Sequence, residues 1–432
     1  LSTLRTQDSG LSTQDYLCLS KVIITLKEAS HSRLHPLLVR AVAQALNSIF
    51  FENRHADKVI EQLLKSNPKA GSRDRAFIAE TTYDVLRYYR YYSAVLGKTP
   101  RTEADFWQMI GVHFYLKAGQ LPDWNEFKTL KIKDLESRAK EAQQHRAVRE
   151  SIPQWLDEMA SAQLPDQWDK TLHWLNRPAQ VVLRTNTLKT TRAALQQALQ
   201  EEGIETKAVG KNDALVLGQR QNIFKSPLFK KGWFEVQDYS SQLVAQALAP
   251  QPGMRVVDAC AGGGGKTLHL AALLQNKGSL IALDTFAWKL DELRLRARRA
   301  GATNIETRPI ESRKTIKRLY NSADRLLLDV PCSGLGVLRR NPDTKWKLTP
   351  EQIEQLRTTQ QDILQSYSLI TKTGGRMVYA TCSILPSENQ EQVQQFLDSE
   401  AGKNFRLLEE KRILPQDEGY DGFYIAVLER QA

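Results

Sequence analysis

Residues 254–284 read MRVVDACAGGGGKTLHLAALLQNKGSLIALD, and this stretch decides the fold. A short apolar run ending at Asp258 meets four consecutive glycines. KTLHLAALLQ then places apolar residues at helical spacing, and SLIALD returns to a continuous apolar run. Strand, glycine-rich turn, helix and strand make one βαβ unit. The alternation continues through a helix at 289–301 (KLDELRLRARRAG) and a strand at 324–331 (DRLLLDVP). A long helix at 349–370 and a strand at 375–382 (GRMVYATC) follow. Continuous apolar strands between helices predict an α/β class: a doubly wound, Rossmann-like parallel sheet with ligands at the carboxyl ends of its strands.

Upstream the texture differs. From Ile152 to about residue 230, β-branched runs (RPAQVVLRTNTLK) alternate with one helical segment (TRAALQQALQEEG), which reads as a small α+β insert. Residues 37–95 hold three segments with apolar residues three and four apart, the third opening near Ser72, Arg73 and Asp74. Another helical stretch surrounds Phe106 to Leu116, and the charged run 127–150 reads as a solvated helix or linker. Four parts are expected: an N-terminal extension (1–36), a helical domain (37–145), the insert (146–231) and the catalytic domain (232–432). Tyr88, Tyr89, Tyr91 and Tyr92, set among Arg87 and Arg90, suit either base stacking or core packing.

The 432 residues are 41% hydrophobic and 25% charged, which excludes a disordered or collagen-like chain. No uncharged apolar run is long enough to span a bilayer, and polar residues break every apolar run of the first 21, so neither membrane nor secretory leader is expected. Four scattered cysteines (Cys18, Cys260, Cys332, Cys382) offer no disulfide framework and no CxxC metal site, which points to a reduced, cytoplasmic setting without metal. Sixty Lys and Arg against 49 Asp and Glu give +11, a charge that favours a polyanionic partner.

The loop Cys260-Ala261-Gly262-Gly263-Gly264-Gly265-Lys266-Thr267 fails two templates at one required place each. A phosphate-binding P-loop needs glycine where Cys260 stands, and a dinucleotide fingerprint needs glycine where Thr267 stands. S-adenosylmethionine has no phosphate. It needs a close backbone approach and a carboxylate for its ribose, which Asp284 offers about 20 residues beyond the loop. Asp284 also suits a helix cap or an NAD ribose.

Two thiols end two further strands: Cys332, after Asp329-Val330-Pro331, and Cys382, after Ala380-Thr381. Each alone fits a buried structural cysteine. Together beside the glycine loop they fit methyl transfer to carbon 5 of cytosine. A thiolate added at carbon 6 makes carbon 5 nucleophilic, a carboxyl at N3 stabilises the shifted charge, and a base then removes the carbon 5 proton.

These motifs resemble the Sun/Fmu family of RNA 5-methylcytosine methyltransferases from about Gly232 to Tyr424. The match runs through Gln237-Asp238, Ser240-Ser241-Gln242, the glycine loop, DVPCSGLGVLRRNPDTKW (329–346), TCSILPSEN (381–389) and Asp421-Gly-Phe-Tyr424. The branch acting on bacterial small-subunit ribosomal RNA is the most similar; it carries an N-terminal NusB-like helical domain, which SRDRAFIAETTYDVLR resembles. The resemblance implies S-adenosyl-L-methionine contacts from Cys260 to Lys266 and at Asp284, Glu311 and Asp329. It implies Cys382 as nucleophile and Cys332 assisting product release. Gly262-Gly263 replace the family's usual Ala-Pro, Val330 its usual Ala, and Glu311 its third cofactor acid. DNA cytosine methyltransferases use the cysteine of a Pro-Cys motif as nucleophile, the opposite assignment.

Residues 289–318 carry ten basic side chains against four acids, either an RNA-facing surface or a solvated helix face. Arg339, Arg340 and Lys345, close to Cys332 and Trp346, are expected to grip phosphates of a ribosomal RNA partner around a flipped-out cytosine. A rival reading, an RNA-binding assembly factor without catalysis, leaves the paired cysteines unexplained.

Overall fold

The computed structural model describes residues 35–210 and 213–431; the expected extension, with Cys18, lies outside them apart from His35 and Pro36. The chain forms two compact units that divide after Pro153.

In the first unit the described residues are helical, with the principal helices Pro36–Phe51, Ala56–Ser66, Ser72–Arg87, Tyr89–Leu96, Glu103–Ala118 and Ile132–Ala142. Val39, Val42, Leu46, Val85, Leu86, Phe106 and Ile110 share one core. Gly71 precedes the third helix, its N–H donating to Asp74, so Ser72 is the first helical residue. The tyrosine run joins that core: Tyr92 is buried with its hydroxyl against His113 Nδ1, and Tyr88, Tyr89 and Tyr91 pack half-buried around it. Packing therefore accounts for these rings.

The second unit holds two sheets. The small one is antiparallel, ordered β2-β3-β1-β4, from β1 (Val182–Thr185), β2 (Thr206–Val209), β3 (Ala214–Leu217) and β4 (Phe234–Val236). The helix Arg192–Glu201 covers it through Leu195 and Leu199. Its last strand comes from beyond residue 231, because Phe234 completes the apolar face that Leu183 and Leu215 begin.

The large sheet runs β10-β11-β9-β8-β5-β6-β7. β5 (Arg255–Asp258), β6 (Ser279–Asp284), β7 (Ile305–Pro309), β8 (Ala323–Asp329) and β9 (Thr371–Thr381) are parallel; β11 (Phe423–Arg430) pairs antiparallel with both β9 and β10 (Phe405–Ile413). Alternate residues of each strand enter opposite cores. Val256, Leu280, Leu327 and Val378 meet helices Tyr239–Leu248 and Gly265–Leu273 on one face. Val257, Ile281, Leu326 and Met377 meet Ile363, Leu364 and Phe396 on the other. Strand order reverses between β5 and β8, where doubly wound sheets open a crevice at their carboxyl ends. Among the described residues no helix is long and apolar enough to cross a membrane.

Candidate active site

β5 ends at Asp258, and the glycine loop turns the chain into the helix Gly265–Leu273. Gly262 and Gly264 have φ of 53° and 84°, the left-handed region that glycine enters without strain. At Gly264 a Cβ would also stand 1.8 Å from Leu293, whereas at Gly262 it would meet nothing within 4 Å. The loop is thus closed behind and open in front. Asp284, buried at the end of β6, accepts from Gly262 N at 2.9 Å and Phe286 N at 2.8 Å, so it braces the loop that it faces. Ile310 N donates to Asp284 O, which places the exposed Glu311 at the neighbouring strand end.

Two arginines hold the loop from behind. Arg184, from β1, donates to Gly265 O at 2.5 Å, and Arg296 donates to Gly263 O at 2.6 Å while pairing with buried Glu235 of β4. The small sheet thereby reaches the loop at the glycines that replace the usual Ala-Pro. Nothing in the sequence signals this brace, whose bonded partners lie up to 81 positions apart.

Lys266 does not turn toward the loop as a phosphate-binding lysine would. Its Nζ lies 2.7 Å from Asp329 and over the Phe423 ring. Burial pulls this ammonium down, but the Asp329 carboxylate outweighs burial and holds it above its ordinary value. Asp258, unassigned in the sequence reading, accepts from the Thr267 hydroxyl, and burial pushes its carboxyl up to about 7 against that bond. Cys260 is a half-buried thiol pushed up by burial and then by Asp258, Asp329 and Asp284. The fit to S-adenosylmethionine rests on the open approach at Gly262, the Asp284 carboxylate and the withdrawal of Lys266 from the loop.

Register brings the thiols together. Asp329 pairs with Ala380 across β8 and β9, Val330 N donates to Ala380 O, and beyond the strands Cys332 Sγ approaches Cys382 Sγ to 3.4 Å. Gly336 N donates to Cys382 O and Gly422 N to Gly336 O, tying the Pro-Cys, Thr-Cys and Asp421-Gly segments into one wall. The bond to Cys382 raises the Cys332 thiol well above its ordinary value, with burial and Glu388 adding to it.

Arg339, Arg340 and Lys345 depart from expectation. Arg339 is buried, donating to the carbonyls of Arg177, Pro178, Gly419 and Tyr420. Arg340 bridges the buried carboxylates of Asp238 and Asp421, and Lys345 is buried with its Nζ toward Asn176. Their charge is spent inside the protein, because the segment they occupy is packed against residues 174–180. The cations that remain exposed without an ion pair include Arg313, Lys314, Lys317 and Arg318.

The family described as 16S rRNA methyltransferase RsmB/F matches residues 245–429, and the ferredoxin-like domain of RsmF/B-like methyltransferases matches 152–224. The "Probable ribosomal RNA small subunit methyltransferase B" of Synechocystis sp. is 36% identical over 302 residues, 65% of this chain and 67% of that protein. The ribosomal RNA small subunit methyltransferase B of Vibrio cholerae is 36% identical over 318 residues, 69% of this chain and 70% of that protein. Among solved structures, PH0851 superposes with a TM-score of 0.76 at 24% identity, over 93% of this chain and all of that one. A methyltransferase homologue from Pyrococcus horikoshii gives 0.59 at 27% identity, over 66% of this chain and 98% of that one.

Proposed function

The chain belongs to the RsmB/F family of 16S rRNA methyltransferases, and from that premise we propose that it methylates carbon 5 of a cytosine in small-subunit ribosomal RNA through a covalent cysteine adduct. The cofactor is S-adenosylmethionine, which when bound supplies an electrophilic methyl group. Asp284 and the open face of the glycine loop would hold it, with Glu311 at the adjoining strand end. The observation that carries the reading is the pair of thiols 3.4 Å apart beside the Lys266–Asp329 pair.

Cys382 Sγ adds to carbon 6 of the ring, and the electron pair of the carbon 5–carbon 6 double bond becomes available at carbon 5. Lys266 and Asp329 set a donor and an acceptor side by side for the N3 edge, where charge gathers during addition. After transfer Cys332, ionised by loss of its own proton to solvent, takes the proton from carbon 5. The pair then returns to the carbon 5–carbon 6 bond and Cys382 leaves. The 3.4 Å approach of Cys332 Sγ to Cys382 Sγ supports this assignment, because it sets a base beside the ring that Cys382 holds.

The test uses 16S rRNA, a labelled methyl donor and bisulfite mapping. One new bisulfite-resistant cytosine is expected with the native protein and none with Cys382→Ala. Cys332→Ala should instead accumulate an RNA–protein adduct that survives denaturant. An adduct in Cys382→Ala and none in Cys332→Ala would reverse the roles, and a methyl group on any other atom would overturn the reading.

A further inference from the structure

The two thiols lie in a repeated pattern, Cys332-Ser333-Gly334-Leu335 and Cys382-Ser383-Ile384-Leu385. In both, the serine Oγ accepts from the backbone N–H of the leucine two residues on, at 3.4 and 3.1 Å. Each hydroxyl proton is thereby free to be donated elsewhere, and both go to one acceptor, Glu388 Oε2. Glu388 Oε1 accepts from Ser333 N at 2.8 Å and Gln360 Nε2 at 3.1 Å, and the same Gln360 amide donates to Pro331 O at 2.9 Å.

Glu388 is fully buried, and no lysine or arginine forms an ion pair with it among the described residues. Its own segment is fixed as well: Tyr379 Oη donates to Glu388 O at 2.7 Å and Asn389 Nδ2 to Ser383 O at 3.1 Å. A buried carboxylate without a cation is costly unless every oxygen is satisfied by donors. Here the donors come from both cysteine-bearing turns and from the helix Pro350–Tyr367 behind them.

We propose that Glu388 is the positioning residue of the thiol pair: its carboxylate ties the two Cys-Ser-x-Leu turns together and sets the approach of Cys332 to Cys382. The role in turnover rests on the proposed function of these thiols; the role in spacing does not. Glutamine at 388 has the same size but turns one acceptor into a donor, so two of the four bonds that the carboxylate accepts are lost, whichever oxygen is replaced. The charge acting on Cys332 also disappears.

The experiment compares native protein, Glu388→Gln and Ser383→Ala in the full chain, with unaltered circular dichroism as the condition for reading either variant. Diamide oxidises two adjacent thiols to a disulfide, the two hydrogens and electrons passing to the diazene, which becomes a hydrazine. Peptide mass spectrometry then follows formation of the Cys332–Cys382 bond. Cross-linking should slow at least about fivefold in both variants, because a disulfide forms only from a narrow range of sulfur placements. With 16S rRNA, kcat should fall about 10- to 100-fold at nearly unchanged KM, the scale expected of a small misplacement of reacting groups. In Glu388→Gln the thiol limb of the pH–rate profile should also move to lower pH, since the Glu388 charge, which adds to the hydrogen bond with Cys382 and to burial in raising the Cys332 thiol, is gone.

Wild-type cross-linking rates in both folded variants overturn the proposal. If Glu388→Gln does not fold, Ser383→Ala decides alone, for it loses one tie without touching the carboxylate. Slowed cross-linking in the variants, together with no 5-methylcytosine from the native protein, would leave the clamp standing and discard the proposed reaction.

Discussion

Arg340 lies eight residues beyond Cys332 in a stretch that reads as a phosphate grip, yet its guanidinium is enclosed by Asp238 and Asp421. Sequence shows a charge but not the partners that neutralise it, and these two come from 102 and 81 positions away. Arg340→Ala should therefore destabilise the fold by about 3–5 kcal/mol, the cost of stranding buried charge. The loss should deepen with pH. Burial and then Asp238 push Asp421 up to about 6 even with Arg340 present. Its stabilising contribution is complete below the unfolded value of 3.8 and is lost as pH rises through 6. Without Arg340 the carboxyl rises further, so thermal melts should separate mutant from native protein least near pH 4 and most near pH 8. A constant difference across that range would show that the pair does not govern Asp421. Asp284 was legible, because an acid at the end of the second strand has one obvious neighbour, the loop before it. Asp284→Ala removes a charged acceptor and the tie to Gly262 N, so calorimetry should show S-adenosylmethionine binding weakened by about 1.5–3 kcal/mol.

Strand ends carry the site, and four of the five parallel strands, β5, β6, β8 and β9, are legible as apolar runs, whereas β7 (IETRP) carries too few apolar residues to read as one. Their ends are consequently where Asp258, Asp284, Asp329 and Cys382 had to fall. Register was not legible. That Asp329 lies opposite Ala380, and so brings Cys332 onto Cys382, follows from β8 and β9 being neighbours. So does the pairing of Ser333 with Ser383 through Glu388, although Cys-Ser-x-Leu stood twice in the sequence as a signal. The contact that locks these ends is Gly336 against Gly422, where a Cβ on Gly336 would lie 2.1 Å from Gly422 O and 2.7 Å from Cys382 O. Gly336→Ala must push one segment away. A loss of about 1–3 kcal/mol in denaturant melts is expected from such overpacking, with methyl transfer reduced more than cofactor binding. Equal losses in both would place the strain at the glycine loop instead.

Net charge of +11 belongs to the molecule as a whole, and only the structure sorts it into paired and free cations. Arg184, Arg296, Arg299, Arg339, Arg340 and Lys345 are engaged by acids or carbonyls of the protein. Arg313, Lys314, Lys317 and Arg318 are exposed on and beside one short helix after β7, the strand whose end adjoins Asp284. Phosphate binding releases counterions only where a cation is available to replace them, so the salt dependence of RNA affinity counts free cations and ignores the paired ones. Each lost contact with single-stranded RNA should lower the slope of log affinity against log salt by about 0.7. Replacing Lys314, Lys317 and Arg318 with glutamine should therefore flatten that slope by up to about 2 while leaving the thermal midpoint almost unchanged. Arg340→Ala should do the reverse, lowering the midpoint with little effect on the slope. Filter binding of 16S rRNA across a series of salt concentrations measures both. A slope unchanged in the triple variant would remove the helix Arg313–Lys317 from the RNA path and leave its charge a solvated face.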